Sequence, residues 1–255
     1  MKKTGNREDK NNFTSFQNGY KLLRGNLIWI DCEHENYSSK FSRELVNLNS
    51  NLISPISSQP LDIRFNRCLK RIFDIFFSIF MITCILSWLI PTLAFLIKVD
   101  SKGPVFFLQK RNKKKGEFFN CIKFRSMVIN EDADLNHSAK NDSRITRIGK
   151  LLRNSHLDEF PQFINVLIGD MSVIGPRPHM VSDNMNYEKL IDHYSYRSTV
   201  KPGITGLAQV MGFAGSVTNL NEMINRVKMD NIYIRHWSLK LDLVILYRTI
   251  FKPFR

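Results

Sequence analysis

Two adjacent carboxylates, Asp158 and Glu159, are the side chains of this sequence best suited to chemistry. At a helix start an Asp is expected to stay ionised, and an ionised Asp can attack phosphorus to form an acyl phosphate. A neighbouring Glu could hold a divalent cation that offsets phosphate charge. The alternative is structural. Ser155 and Asp158 match a capping box with Pro161 in the first turn, so the Asp could simply stabilise a helix start.

Basic side chains surround this pair in the sequence. Phosphates that approach a carboxylate nucleophile need such cations, because anions repel one another. Arg177 stands between two prolines, which fix the backbone and leave its guanidinium little freedom to lose. The other nearby arginines are Arg144, Arg147 and Arg153. For each of them an ordinary solvated surface residue is the alternative.

Other motifs are weaker. Asp132 and Asp134 form a D-x-D pattern, which many nucleotide-sugar glycosyltransferases use to hold a metal, but for so short a pattern a solvated polar loop is the better interpretation. The histidines show no metal-ligand spacing, and neither a Gly-x-Gly-x-x-Gly motif nor a P-loop is present, which disfavours dinucleotide and P-loop nucleotide binding. The four cysteines include no Cys-x-x-Cys pair, which disfavours a zinc ribbon.

An apolar run precedes these residues. Residues 75–97 carry no formal charge, and about 20 apolar residues suffice to cross a bilayer core. Pro91 interrupts helical hydrogen bonding inside the run, and basic residues flank both of its ends, which opposes a simple span. We predict a re-entrant helix hairpin, broken at Pro91, with the Thr83 and Ser87 hydroxyls bonding freed carbonyls. A kinked spanning helix and a buried core helix are the alternatives.

Charge and composition divide the chain into three regions. A net charge of +14 over 255 residues indicates an anionic partner: nucleic acid, an anionic membrane or a phosphorylated substrate. Residues 1–63 are a polar N-terminal extension and linker without a signal peptide. Residues 64–100 are predicted to form the basic flank and membrane hairpin, and residues 101–255 are predicted to form one globular domain.

The predicted fold class is α+β, with a mainly helical catalytic domain that carries a small sheet and interfacial amphipathic helices. Residues 237–251 have the mixture of bulky apolar and basic side chains that suits such a helix, although a plain core helix or strand fits as well. Strands are expected at 27–30, 105–108 and 118–122, the last two around a basic turn. Helices are expected at 145–152 and 160–168.

Six ordered blocks, read together, resemble one family: the bacterial sugar transferases, which are monotopic polyprenyl-phosphate phosphoglycosyl transferases. The resemblance covers the chain from about Asn66 to the C-terminus. The blocks lie at residues 70–74, 103–107, 123–127, 157–162, 169–178 and 201–206.

The resemblance implies a re-entrant membrane helix hairpin and a cytosolic catalytic domain, which would be residues 101–255. It also implies a Mg²⁺-dependent, two-step transfer at a bacterial inner membrane. Asp158 would attack the sugar-bearing phosphate of a UDP-sugar and release UMP, and a polyprenyl (undecaprenyl) phosphate would then take the phosphosugar. Glu159 would be associated with Mg²⁺, and Arg177 would contact phosphate or nucleotide. The other candidate substrate-binding residues are Lys123, Arg125, Arg147 and Arg153.

Two other functions compete with this interpretation. A metal-dependent glycosyltransferase would use Asp132 and Asp134 and release UDP rather than UMP. A basic, membrane-tethered nucleic-acid-binding protein is permitted by the charge, but no helix-turn-helix or RNA-binding pattern supports it. We therefore expect no nucleic-acid partner, a chain that could form a homodimer, and no motif that specifies the sugar.

Overall fold

A computed structural model describes the strands at residues 20–23 and 26–29, and residues 59–129, 142–215, 217 and 219–251. The chain divides into two compact units, residues 1–55 and 56–255. In the first unit, β1 (Tyr20–Leu23) and β2 (Asn26–Trp29) pair in antiparallel fashion. The strand expected at 27–30 is therefore confirmed.

A long helix opens the second unit. It comprises α1 (Arg64–Met81), a π-helical turn (Ile82–Leu86) and α2 (Ser87–Asp100), 37 residues that are long and apolar enough to cross a membrane. The residues that α1 buries are all polar, whereas several of its large apolar side chains, such as Phe76 and Phe80, are exposed. This arrangement is the inverse of a water-exposed amphipathic helix.

The helix continues through Pro91, which lies inside α2. The change in helical geometry lies earlier, in the π-helical turn, a feature that commonly accompanies a proline or a bend. Thr83 Oγ1 donates to the carbonyl of Ile79 at 2.8 Å, and Ser87 Oγ donates to that of Thr83 at 2.7 Å. The two hydroxyls thus bond helix carbonyls, but neither bonds the carbonyl of Ser87, which is the one that Pro91 deprives of its helical donor. The break at Pro91 is not seen, and the re-entrant topology stays a prediction.

The part of the chain that follows α2 begins with a hairpin and two helices. β3 (Phe106–Asn112) and β4 (Phe118–Phe124) pair in antiparallel fashion around the basic turn. They are followed by α3 (Arg147–Asn154) and α4 (Gln162–Ile168), as expected from the sequence. A core cluster joins α2 to this region through Leu89, Leu93, Ile97, Phe124 and Leu152.

The second part pairs β5 (Ser172–Ile174) with β6 (Gly203–Thr205) in parallel. A Cβ atom on Gly203 would collide with the backbone of Gly175, so only glycine permits this approach. The helices of this part are α5 (Val181–Leu190), α6 (Leu207–Val210), α7 (Leu220–Arg235) and α8 (Leu239–Phe251). A helix rather than a strand thus forms within residues 237–251. The predicted α+β class is confirmed.

Polar contacts fix α1 to this region. Lys70 Nζ lies 2.8 Å from Asp242 Oδ2 in a buried ion pair, and Asp74 Oδ1 accepts hydrogen bonds from Ser172 Oγ and the Val173 N–H, both at 2.9 Å. Arg71 donates to the carbonyls at the end of α4. Lys70 and Arg71, which the sequence placed in a basic membrane flank, therefore serve internal packing.

Candidate active site

Asp158 and Glu159 lie in a short 3₁₀ turn, Leu157–Glu159, between α3 and α4. His156 enters the turn with a left-handed φ of 57°, which side chains other than glycine seldom adopt. Ser155 Oγ donates back to the carbonyl of Leu151 at 2.8 Å and caps no helix. The capping-box interpretation of Asp158 is therefore wrong, because α4 begins after Pro161 without any side-chain cap.

Glu159 is held by two cations. Arg177 Nη1 donates to Oε2 at 3.0 Å and Nη2 to Oε1 at 2.5 Å, while Lys123 Nζ donates to Oε1 at 2.9 Å. Glu159 is only 9% exposed. Burial opposes ionisation, but Arg177 and Lys123 outweigh it and hold the pKa of Glu159 well below its ordinary value. The attraction of Glu159 in turn raises the pKa of Arg177.

Asp158 is equally buried, at 9% exposed, yet its surroundings differ. Within the part of the chain that the structure describes, its carboxylate makes no ion pair and accepts no hydrogen bond. Burial and the negative charge of Glu159 raise the pKa of Asp158, and the more distant Lys123, Arg153 and Arg177 only oppose that rise. Both oxygens of Glu159 thus accept hydrogen bonds, whereas the oxygens of Asp158 accept none from the described residues. We refer to Asp158 as the uncommitted carboxylate of the pair.

The segment that carries Arg177 is held by its backbone. Four consecutive carbonyls, those of residues 176–179, each accept a hydrogen bond from another part of the fold. The donors are the Gly203 N–H (2.9 Å), Arg197 Nη2 (2.6 Å), Arg111 Nη1 (3.4 Å) and the Asn112 N–H (3.3 Å). Sequence reasoning identified Arg177 but missed Arg111 and Arg197, because no local motif indicates a side chain that bonds a distant carbonyl.

The remaining predicted cations divide between the site and its surroundings. Arg153, in the last turn of α3, is close enough to lower the pKa of Asp158 electrostatically. Arg147 begins the same helix and lines an open surface groove with Lys150 and Leu151. Arg144 forms an ion pair with Asp142 at 2.6 Å.

Arg125 serves a different purpose from the one expected. Its buried guanidinium donates to the carbonyls of Lys102, of Ser101 at 2.7 Å and of Ile97 at 3.4 Å. These carbonyls lie at the end of α2, where the last turn of a helix leaves acceptors without partners. We therefore assign Arg125 to the end of α2 and not to the substrate.

Glu159 was also the predicted metal ligand. A carboxylate offers about four lone-pair positions, and three of those on Glu159 already accept hydrogen bonds from Arg177 and Lys123. The described residues contain no group of three or more His, Cys, Asp or Glu side chains that could hold a metal. A Mg²⁺ ion on Glu159 does not fit this arrangement. The alternative ligands Asp132 and Asp134 lie outside the described residues.

Known proteins resemble the chain over most of its length. It is 45% identical over 208 residues, 81% of this chain and 44% of the relative, to a UDP-glucose:undecaprenyl-phosphate glucose-1-phosphate transferase from Klebsiella pneumoniae. A protein of the same name from Caulobacter vibrioides is 38% identical over 77% of this chain and 72% of its own length. A UDP-N-acetylgalactosamine-undecaprenyl-phosphate N-acetylgalactosaminephosphotransferase from Aeromonas hydrophila is 41% identical over 71% and 43%.

The chain thus spans less than half the length of two of these three relatives. The family model described as bacterial sugar transferase matches residues 65–255, three quarters of the chain. The chain therefore belongs to the bacterial sugar transferase family.

Proposed function

We propose that this protein transfers a sugar-1-phosphate from a UDP-sugar to a polyprenyl phosphate, undecaprenyl phosphate in bacteria, and releases UMP. Such a transfer would begin the assembly of an exopolysaccharide, a lipopolysaccharide or another glycoconjugate. The observation that carries the proposal is the uncommitted carboxylate of Asp158 beside a Glu159 that holds Arg177 and Lys123. The names of the relatives support the substrate class.

In the first step, an Asp158 oxygen attacks the sugar-bearing phosphorus of the UDP-sugar. The bond from that phosphorus to the bridging oxygen of the diphosphate breaks, and the bridging oxygen leaves as part of UMP. The product is an acyl phosphate that joins Asp158 to the sugar phosphate. Asp158 suits this role because no described residue holds its oxygens, and because carboxylates can serve as nucleophiles that form covalent intermediates.

In the second step, an oxygen of the polyprenyl phosphate attacks the same phosphorus. The bond from phosphorus to Asp158 breaks, which regenerates the carboxylate and forms a polyprenyl diphosphate sugar. Both steps exchange one phosphate ester or anhydride for another, so neither needs an external oxidant, reductant or net proton.

Arg177 and Lys123 supply the positive charge that the attack requires. Each is within hydrogen-bond distance of Glu159, and each also acts electrostatically on Asp158. A guanidinium matches two phosphate oxygens as well as two carboxylate oxygens. In the proposed complex, one of the two terminal nitrogens of Arg177 donates to the diphosphate instead of to Glu159. We assign no step to Mg²⁺, because Arg177 and Lys123 already donate to Glu159 at the positions where the ion would bind.

The long helix supports a position at the membrane that carries the acceptor. Several of its large apolar side chains, such as Phe76, Phe80 and Trp88, are exposed. Both of its ends contact the catalytic region: Asp74 near the start bonds Ser172, and Asp100 at the end accepts a hydrogen bond from the Ile148 N–H at 3.0 Å. A helix that spanned the bilayer would place these ends on opposite faces. We propose a monotopic helix that enters and leaves on the cytoplasmic face of the bacterial inner membrane.

The experiment that tests this function traps the first step. The purified protein is mixed with a UDP-sugar, either UDP-glucose or UDP-N-acetylgalactosamine, without any lipid acceptor. We expect the release of one equivalent of UMP per protein. Intact-protein mass spectrometry should show one phosphosugar adduct on each protein. Asp158→Asn should give neither, whereas the control Asp192→Asn, at an exposed carboxylate, should behave like the parent.

Two results would contradict the proposal. Release of UDP would indicate a glycosyltransferase that moves the sugar without its phosphate, which is the chemistry that the Asp132 and Asp134 alternative predicts. An adduct that persists in Asp158→Asn would move the nucleophile to another carboxylate, with Glu159 the first candidate.

A further inference from the structure

A buried ion pair lies behind the Arg177 segment. Arg197, in the 3₁₀ segment Tyr194–Thr199, donates through Nη2 and Nε to Asp230 Oδ2 on α7, at 2.8 and 3.2 Å. Arg197 is 6% exposed and Asp230 is 1% exposed. Neither residue contacts Asp158 or Glu159, so neither belongs to the carboxylate cluster itself.

The rest of the Arg197 guanidinium is directed at the Arg177 segment. Nη2 donates to the carbonyl of Arg177 at 2.6 Å, and Nη1 lies 2.5 Å from His179 Nδ1. The Tyr194 hydroxyl lies 2.6 Å from the same nitrogen. Burial and the charge of Arg197 lower the pKa of His179 well below its ordinary value, so the imidazole is neutral and can accept. One side chain thus holds the segment at residue 177 and at residue 179.

Stability alone is a weak reason for this arrangement. Desolvating two charges costs so much that a buried ion pair can often be replaced by apolar residues without loss of stability. The ion pair does, however, hold the planar guanidinium of Arg197, with its several N–H donors, at a fixed position. Asp230 neutralises the charge of that guanidinium. Because Arg177 stands between two prolines, a bond to its own carbonyl removes much of the motion that its backbone has left.

We propose that Arg197, oriented by Asp230, is a positioning residue that fixes the main chain of Arg177 and thereby the angle at which the Arg177 guanidinium meets the substrate diphosphate. The inference rests on the proposed function for the identity of the substrate. It assigns to Arg197 no contact with the substrate and no part in the chemical steps.

The test compares two changes of the cation in a buried ion pair. Arg197→Lys keeps the charge beside Asp230 but loses the fork, since one ammonium cannot serve Asp230, His179 and the Arg177 carbonyl in the same geometry. Lys70→Arg is the matched control, because the Lys70–Asp242 pair is comparably buried and makes no contact with the Arg177 segment. Both changes are made in the Asp158→Asn background, which binds without turnover.

Calorimetry with UDP-glucose and UDP-N-acetylgalactosamine gives the first readout. We expect Arg197→Lys to raise Kd about tenfold, the scale of a small misplacement of a binding group, and Lys70→Arg to change it less than about twofold. An unchanged Kd in Arg197→Lys would overturn the proposal. An equal loss in both variants would also overturn it, since that is the result expected of a merely structural pair.

Hydrogen exchange of the peptide that spans residues 174–181 gives a second readout, which does not depend on the substrate. Exchange should be faster in Arg197→Lys and unchanged in Lys70→Arg, and equal exchange in the two variants would overturn the anchoring role. If the parent binds no UDP-sugar, the proposed function fails while this measurement still decides the role of Arg197. If Arg197→Lys does not fold, the double variant Arg197→Met with Asp230→Leu, an apolar replacement of the kind that buried pairs tolerate, takes its place.

Discussion

Arg177 holds both carboxylate oxygens of Glu159, with Nη1 3.0 Å from Oε2 and Nη2 2.5 Å from Oε1. This two-pronged geometry is the one that a guanidinium also uses to bind phosphate. Glu159 therefore occupies the face of Arg177 that a diphosphate would need in the proposed function. There, the ion pair would keep the arginine in place before substrate binds, and the substrate would have to compete with Glu159 for it.

The same ion pair predicts how the free protein responds to Mg²⁺. Arg177→Met should release lone pairs of Glu159 and remove a positive charge beside it, so Mg²⁺ alone should bind the variant more tightly than it binds the parent, by about tenfold. Calorimetric titration with MgCl₂ without nucleotide measures this change. Arg147→Met, at the surface groove, is the control and should match the parent. Equal Mg²⁺ affinity in all three proteins would show that Arg177 does not block Glu159.

Asp158 and Glu159 should affect stability in opposite directions. Asp158→Asn removes a buried carboxylate whose ionised form burial and Glu159 disfavour, and it should raise the free energy of unfolding at neutral pH by about 1 kcal/mol. Glu159→Gln leaves Arg177 and Lys123 without their anion and should lower it by about 2 kcal/mol. Thermal unfolding in one detergent at pH 7 measures both. An equal loss of unfolding free energy in Asp158→Asn and Glu159→Gln would contradict the different surroundings assigned to the two carboxylates.

The stability that Glu159 contributes should depend on pH. Because its folded-state pKa is depressed, its contribution is fully present above the pKa of the unfolded chain and is lost as the pH falls through the folded value. The difference in unfolding temperature between the parent and Glu159→Gln should therefore shrink as the pH falls below about 4.5. A difference that stays constant down to the lowest pH at which the parent folds would contradict the depressed pKa.

The rate of the first step should fall on the acid side. In the proposed mechanism only ionised Asp158 attacks phosphorus, and burial together with Glu159 raises the pKa of Asp158 above 3.8. The release of UMP should therefore decline at a higher pH than an ordinary Asp would give. Glu159→Gln removes one cause of the rise, and its normalised profile should shift to lower pH. Single-turnover UMP release across the pH range measures both profiles, and Asp192→Asn serves as the control. A shift of the Glu159→Gln profile to higher pH would refute this explanation.

The ends of the long helix should lie on one face of the membrane. Single cysteines at Arg64 and Lys115, both exposed, should react with an impermeant thiol reagent only when the cytoplasmic face is accessible, because basic residues flank both ends. All four natural cysteines, Cys32, Cys68, Cys84 and the buried Cys121, are first replaced by Ser or Ala. Labelling of the two positions from opposite faces would establish a span. Pro91→Leu should favour such a span and reduce activity.

Several features of this protein follow from the sequence because they depend on neighbours along the chain. The basic turn between two apolar segments predicts the β3–β4 hairpin, and the uncharged run predicts the long helix. The prolines beside Arg177 predict a segment with little backbone freedom. The Asp158–Glu159 pair indicates phosphate chemistry by its residue types alone, and the six ordered blocks identify the family.

Tertiary packing decided what these residues contact. Lys123 and Arg125 are two positions apart, yet Lys123 bonds Glu159 whereas Arg125 bonds the carbonyls at the end of α2. Lys70 pairs with Asp242, 172 residues away, and does not face a membrane. β4 ends at Phe124, between Lys123 and Arg125, so strand alternation does not place both cations on one surface. Which partner each cation meets is set by contacts between distant segments, and those arise only when the chain packs.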